Sequence, residues 1–169
     1  RRKNPMSTFR FNAKVQDPFS DITDAALGTS GQGWGNEEVG KAVKMSSANN
    51  YILCTNGDEI EGFVVSMEPV TVNGGVSFGS VQRNGRMLAK LASGVTGAAV
   101  GNFVVAAAQE AVGTQANSNL ALVKPGTAAS QLGSGAYTYT VRTPNSFMWR
   151  IIRLLTDGEA GSTVLLERV

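Results

Sequence analysis

The side chains best suited to chemistry in this sequence crowd into CTNGDEIEG, Cys54 to Gly62, which sets one thiol beside the carboxylates of Asp58, Glu59 and Glu61. A thiolate could attack a carbonyl carbon, two carboxylates such as Asp58 and Glu61 could divide acid and base work in a hydrolase, and three could hold calcium. Each reading lacks a necessary part. The chain has no histidine, the commonest base and the commonest metal ligand, and the nearest upstream cation to Cys54 is Lys44. The spacing is not that of a D-x-D-x-D-G calcium loop, and no G-x-S-x-G turn occurs. The stretch reads instead as a solvated turn ahead of a strand at Phe63, with Cys54 a small core thiol near a strand end. Gly31, Gly33 and Gly35 sketch a phosphate-type loop, but no apolar strand precedes them and no helix with a Lys-Ser/Thr pair follows. A flexible linker is the better account. Trp34 within it is expected to be an anchor for a partner, because a glycine-rich stretch gives an indole little of its own fold to bury against. The expectation is a binding protein with no cofactor, no metal and no enzymatic activity.

Charge indicates where binding would occur. Five of the fifteen Lys and Arg fall in the first fourteen residues, with no acid before Asp17, while the rest of the chain holds ten bases against thirteen acids. In FRFNAKV, Phe9, Phe11, Ala13 and Val15 alternate with Arg10, Asn12, Lys14 and Gln16, so a strand there has one apolar and one basic face. Ordering fifteen residues costs on the order of 15 to 30 kcal/mol, whereas burying two Phe side chains returns roughly 3 to 6. The leader should therefore gain shape only by adding as a strand to another protein's sheet edge, its bases meeting an acidic surface. The net-acidic body and the lack of an aromatic platform among the bases argue against a specific nucleic-acid module.

The elements that must carry such a leader are strands. A chain of 169 residues can bury one core without a bridge, and Cys54 has no partner. The longest apolar-leaning run, AAVGNFVVAAA, is too short for a bilayer and contains Asn102. With no signal-peptide pattern, a soluble protein made in a cytoplasm is expected. Residues 1–40 read as an extended arm and glycine-rich linker. Residues 41–169 read as an all-β body, a single compact sandwich or barrel, because short apolar runs alternate with turn residues every eight to twelve positions. EGFVVSMEP reads as a half-buried strand, NGG at Asn73 and NGR at Asn84 as tight hairpin turns, and AYTYTVRT as a strand with one packed face. SFMWRIIRLL and VGNFVVAAAQEAVG are ambiguous between helix and strand and are read as strands; STVLLERV closes the fold. No internal repeat of fixed period is visible.

The series GKAVKMSSANNYILCTNGDEIEGFVVSMEP, GGVSFGSVQRNGRMLAKLASG and FMWRIIRLLTDGEAGSTVLLERV resembles the capsid cement, or decoration, proteins of tailed bacteriophages with a β-tulip core. The likeness covers most of residues 39–169 and is strongest in C-T-x-G-D-E-I-x-G-F, V-Q-x-x-G-R-M and the closing W-R…V-x-x-E-R-V. It implies a protein on the outer surface of the virion head that staples neighbouring major capsid proteins against internal DNA pressure, as a homotrimer whose N-terminal extensions cross adjacent subunits, without contact to membrane. On that reading Phe9, Arg10, Phe11, Lys14 and Val15 contact capsid, Phe19 and Trp34 are further anchors, and Arg1, Arg2 and Lys3 supply electrostatic attraction. The alternative is a phage tail-associated or receptor-binding β module.

Overall fold

Among the described residues, alternating apolar and polar side chains build regular structure that is almost all short strands. The computed structural model describes residues 14–15, 22–29, 31–68, 77–114, 120–126 and 149–169. Its strands are β1 (Lys14–Val15), β2 (Ile22–Leu27), β3 (Ala42–Met45), β4 (Tyr51–Leu53), β5 (Gly62–Met67), β6 (Ser77–Gln82), β7 (Arg86–Leu91), β8 (Phe103–Ala106), β9 (Ala121–Pro125), β10 (Trp149–Leu154) and β11 (Thr163–Arg168). One 3-10 turn, Asn36–Glu38, joins them. The fold is all-β, as expected. AYTYTVRT and the Asn73 to Gly75 turn lie outside the described residues, although β5 and β6 on either side of that turn pair antiparallel.

The strands close into two rings. The first runs β2-β4-β3-β5-β6 and back to β2, and the second runs β7-β9-β8-β10-β11 and back to β7. Strand directions cannot alternate all the way round a ring of five, so each ring needs a parallel neighbour pair. Both place it between the first and third strands of their own order, Leu27 beside Tyr51 in the first and Ala89–Leu91 beside Ala121–Val123 in the second. Every other neighbour pair is antiparallel, and the order of connection is the same. The chain thus contains one wiring twice, an internal repeat of topology that no residue spacing announces.

The barrels share a wall. On β5, Phe63 and Val65 pack into the larger core with the interior of the second barrel, while Val64 between them points into the first; Ala42 and Val43 on β3 divide the same way. The half-buried strand expected at EGFVVSMEP is therefore buried on both faces over Gly62–Val65. At the junction the Trp149 ring meets Phe63 edge to face, centroids 4.9 Å apart, and its Nε1 donates to the Ile60 carbonyl at 3.1 Å. The second barrel alternates cleanly: Met87, Ala89 and Leu91 on β7, Val164 and Leu166 on β11, and Trp149 and Ile151 on β10 point inward.

Three expectations change. Residues 22–40 are not arm: Ile22–Leu27 pairs with β6 over its whole length and supplies a stave of the first barrel, so the body begins by Ile22. The NGR turn is not a hairpin, because β6 and β7 belong to different rings. Gly85, at φ +89°, bends the chain from one ring to the other, and the buried Gln82 donates to the Asn84 and Arg86 carbonyls across the bend. The strand read from VGNFVVAAAQEAVG is real only over Phe103–Ala106; beyond it the chain loops back over the first barrel, Gln109 Oε1 accepting from the Ala42 N–H. SFMWRIIRLL is a strand from Trp149 on, and STVLLERV is the closing strand.

Candidate interaction surface

The chemistry-bearing stretch folds as a turn. Cys54 follows β4 directly and is buried, its Sγ donating weakly to the Glu59 carbonyl. Burial pushes its thiol up to about 12; the Asp58 charge adds to the rise, Lys44 opposes it and Glu61 reinforces it. A thiol so protonated is a poor nucleophile. Asp58 closes the turn by accepting from the Thr55 N–H at 2.6 Å and the Thr55 hydroxyl at 2.8 Å, and Lys44 Nζ lies 2.8 Å away. Desolvation works to raise the Asp58 carboxyl, but the bonds from Lys44 and Thr55 outweigh it and hold it below the ordinary value. The carboxylate is committed to a turn. Among the described residues, no group of three or more His, Cys, Asp or Glu is placed to hold a metal ion, and no helix is long and apolar enough to cross a membrane.

Trp34 is a plug and not an exposed anchor. It is 5% exposed and packs with Leu27, Val43, Tyr51, Val64 and Val81 inside the first barrel. Its receiver is Gly28, where an added Cβ would stand 2.3 Å from the indole nitrogen. Gln32 Oε1 accepts from that nitrogen, and the Trp34 carbonyl accepts from Ser77 Oγ. Gly31 and Gly33 take φ of +83° and +60°, so the glycine-rich segment is the tight path that folds the ring inward.

Behind this plug lies a buried ion pair that the sequence reading missed. Glu38 Oε2 accepts from the Gly35 N–H at 2.7 Å and its Oε1 from the Gly113 N–H at 2.7 Å; Lys41 Nζ sits 3.4 Å from Oε1 and donates to the Ala111 and Thr114 carbonyls. The pair clamps the loop after β8, part of the second half, onto the first barrel. Charges so fully partnered are structural, and removing one partner of such a pair costs about 3–5 kcal/mol.

The leader divides in two. Arg1, Arg2, Lys3, Phe9, Arg10, Phe11 and Phe19 lie outside the described residues. Lys14 and Val15 do not wait for another protein: they pair antiparallel with Met87 and Arg86 on the chain's own β7. The reason is geometric. Strand β9 covers β7 only from Ala89 to Leu91, and β1 occupies the edge that this leaves open.

The two halves of the sequence differ sharply in charge. Residues 22–82 hold seven acids and two bases, residues 83–169 four acids and eight bases. On the second barrel a row crosses three strands: Arg86 is opposite Glu167, which is opposite Arg150, with ion-pair distances of 3.1 and 3.6 Å, and Phe103 is the next residue along the row. Exposed Arg153 lies one step along β10, and half-buried Leu88 faces Leu165. On the first barrel β6 carries exposed Phe78 opposite Ala26, then Ser80 opposite Asp24 and donating to it at 2.6 Å; exposed Ile22 lies opposite Gln82, and Glu68 donates its N–H to the Phe78 carbonyl. The signal for these faces was a charge count cut at residue 82, but grouping the residues into rows needed the strand register. No family model, no curated protein and no solved structure matches this chain.

Proposed function

We propose that this protein is a non-enzymatic capsid cement protein. It lies as a trimer on the outer surface of a tailed bacteriophage head and staples neighbouring major capsid proteins. The observation that supports the reading is the pairing of Lys14 and Val15 with β7. That pairing tethers a segment bearing Arg1, Arg2, Lys3 and Arg10 to a body whose rings are closed. A closed ring has little edge to offer an incoming strand, so bridging by strand addition falls to the leader as donor. Phe9 and Phe11 supply its apolar parity and the bases its attraction to an acidic neighbour. On the resemblance read from the sequence of residues 39–169, that neighbour would be the major capsid protein. Affinity then comes from linkage, since three tethered leaders make each later contact intramolecular.

Co-sedimentation with empty, expanded shells tests this. Deleting residues 1–13 leaves β1 paired and the circular dichroism of the body unchanged, and it lowers retention on shells by about tenfold or more. Full retention of the truncated protein overturns the leader's role, and failure of the intact protein to bind shells overturns the reading itself.

A further inference from the structure

We propose that the β2-β6-β5 face of the first barrel docks, head to tail, against the β7-β11-β10 face of the second barrel of another copy of this chain. Each face sets apolar side chains beside charges of one prevailing sign. On the first barrel Ile22 and Phe78, both 40% exposed, stand two rows apart with Asp24 in the row between them, and the Glu68 backbone pairs with Phe78. On the second barrel Leu88 and Leu165 form the centre, and Arg86, Arg150 and Arg153 surround it.

Charge selects the pairing. Strands β2, β5 and β6 contain no Lys or Arg and their face carries Asp24 and Glu68, whereas the other face carries Arg86, Arg150 and Arg153 against Glu167, so either face turned on its own copy by a twofold axis would set like charges together. The crossed arrangement instead sets acid against base, and it repeats from copy to copy into a closed ring or a row. Glu167 holds Arg86 and Arg150 at fixed spacing along the row, which makes this face suit discrete carboxylates better than a continuous polyanion. Asp24, whose carboxylate is positioned by Ser80, is such a carboxylate. The contact uses no residue of 1–13 and is scored in free solution, so its failure is distinguishable from failure of capsid binding.

The test is sedimentation velocity at low and high ionic strength with two charge-reversed variants, Asp24→Lys/Glu68→Lys and Arg150→Glu/Arg153→Glu, each checked for fold by circular dichroism. The wild type is expected to self-associate and to weaken with salt. Each variant alone should associate about tenfold or more weakly, since like charges then meet. An equimolar mixture should recover association, because acid again faces base in both crossed contacts. Should the basic double variant misfold, Arg153→Glu alone replaces it, its parent side chain being exposed. A wild type that stays monomeric, variants that associate like wild type, or a mixture that fails to recover each overturns the proposal. So does a monomeric wild type whose arginine face captures a labelled single-stranded oligonucleotide.

Discussion

The two barrels share one wiring and are stabilised differently. The second fills its ring from its own strands, Met87, Ala89, Leu91, Val104, Val123, Trp149, Ile151, Val164 and Leu166 all joining one core. The first fills its ring with a side chain brought in by a loop, Trp34, and hands the outer surface of its wall, Ala42, Phe63 and Val65, to the core of its neighbour. Identical topology therefore does not mean equal autonomy. The second barrel is the foundation, and the first is a shell leaning on it through a shared wall and the Glu38–Lys41 clamp.

The largest expected effect tests that dependence at its centre. Trp149→Ala removes a fully buried indole, its edge contact to Phe63 and its bond to the Ile60 carbonyl, and truncations of this kind cost about 3–5 kcal/mol. The chain has two tryptophans, so in this variant Trp34 fluorescence reports the first barrel alone. In guanidinium melts the Trp34 signal should move to lower denaturant together with the far-ultraviolet circular dichroism of the whole chain. A Trp34 transition left at its wild-type midpoint would show that the barrels are independent and would break the comparison.

How much of this was legible beforehand depended on range. Strands whose core face is set by their own alternation, such as Trp149 and Ile151 on β10 or Val164 and Leu166 on β11, were readable because period-two patterning is local. The turn at Asp58 was readable for the same reason: its partner Thr55 is three residues away. Trp34 was misread because its burial depends on Gly28 having no side chain, a fact about a partner that the local glycine-rich composition conceals. Strand β2 was missed because ITDAAL exposes its first three residues and shows little apolar pattern, its place being fixed by pairing with β6 more than fifty residues on. The leader's boundary failed similarly, since the free stretch of β7 that holds Lys14 and Val15 exists only once the second ring has closed. The arginine row was hidden because Arg86, Arg150 and Glu167 become neighbours only through the register of three strands.

A smaller effect separates the two ways of filling a barrel. Gly28→Ala leaves the second barrel untouched but puts a Cβ 2.3 Å from Trp34 Nε1 at a backbone φ of +73°, which an L side chain rarely adopts. Displacing the indole and straining the backbone together cost about 2–3 kcal/mol. In a Trp149→Phe background, where Trp34 is the one emitter, the substitution should shift emission to longer wavelength as well as lower the midpoint. Unchanged emission would mean that the indole is not seated against Gly28. An anchor exposed to partners would give the opposite result: binding altered, stability kept.

The smallest effect concerns how each barrel uses surface charge. On the second barrel the Arg86–Glu167–Arg150 row joins three strands, whereas on the first Lys44 reaches from β3 to a single turn carboxylate, Asp58. The folded carboxyl of Asp58 lies below its ordinary 3.8, so its contribution is present above that pH and is lost as pH falls through the lowered value. Both side chains are partly exposed, so solvent screening limits the contribution to about 0.2–1 kcal/mol. Asp58→Asn retains an acceptor for the Thr55 N–H and hydroxyl while removing the charge, which isolates the Lys44 interaction from the turn. Urea melts taken from neutral pH down through the carboxylate range should show the variant less stable at neutral pH by that amount and converging on the wild type in acid. A difference that persists unchanged in acid would locate the loss in the turn's hydrogen bonds, and charge on the first barrel would then be a matter for its partners and not for its fold.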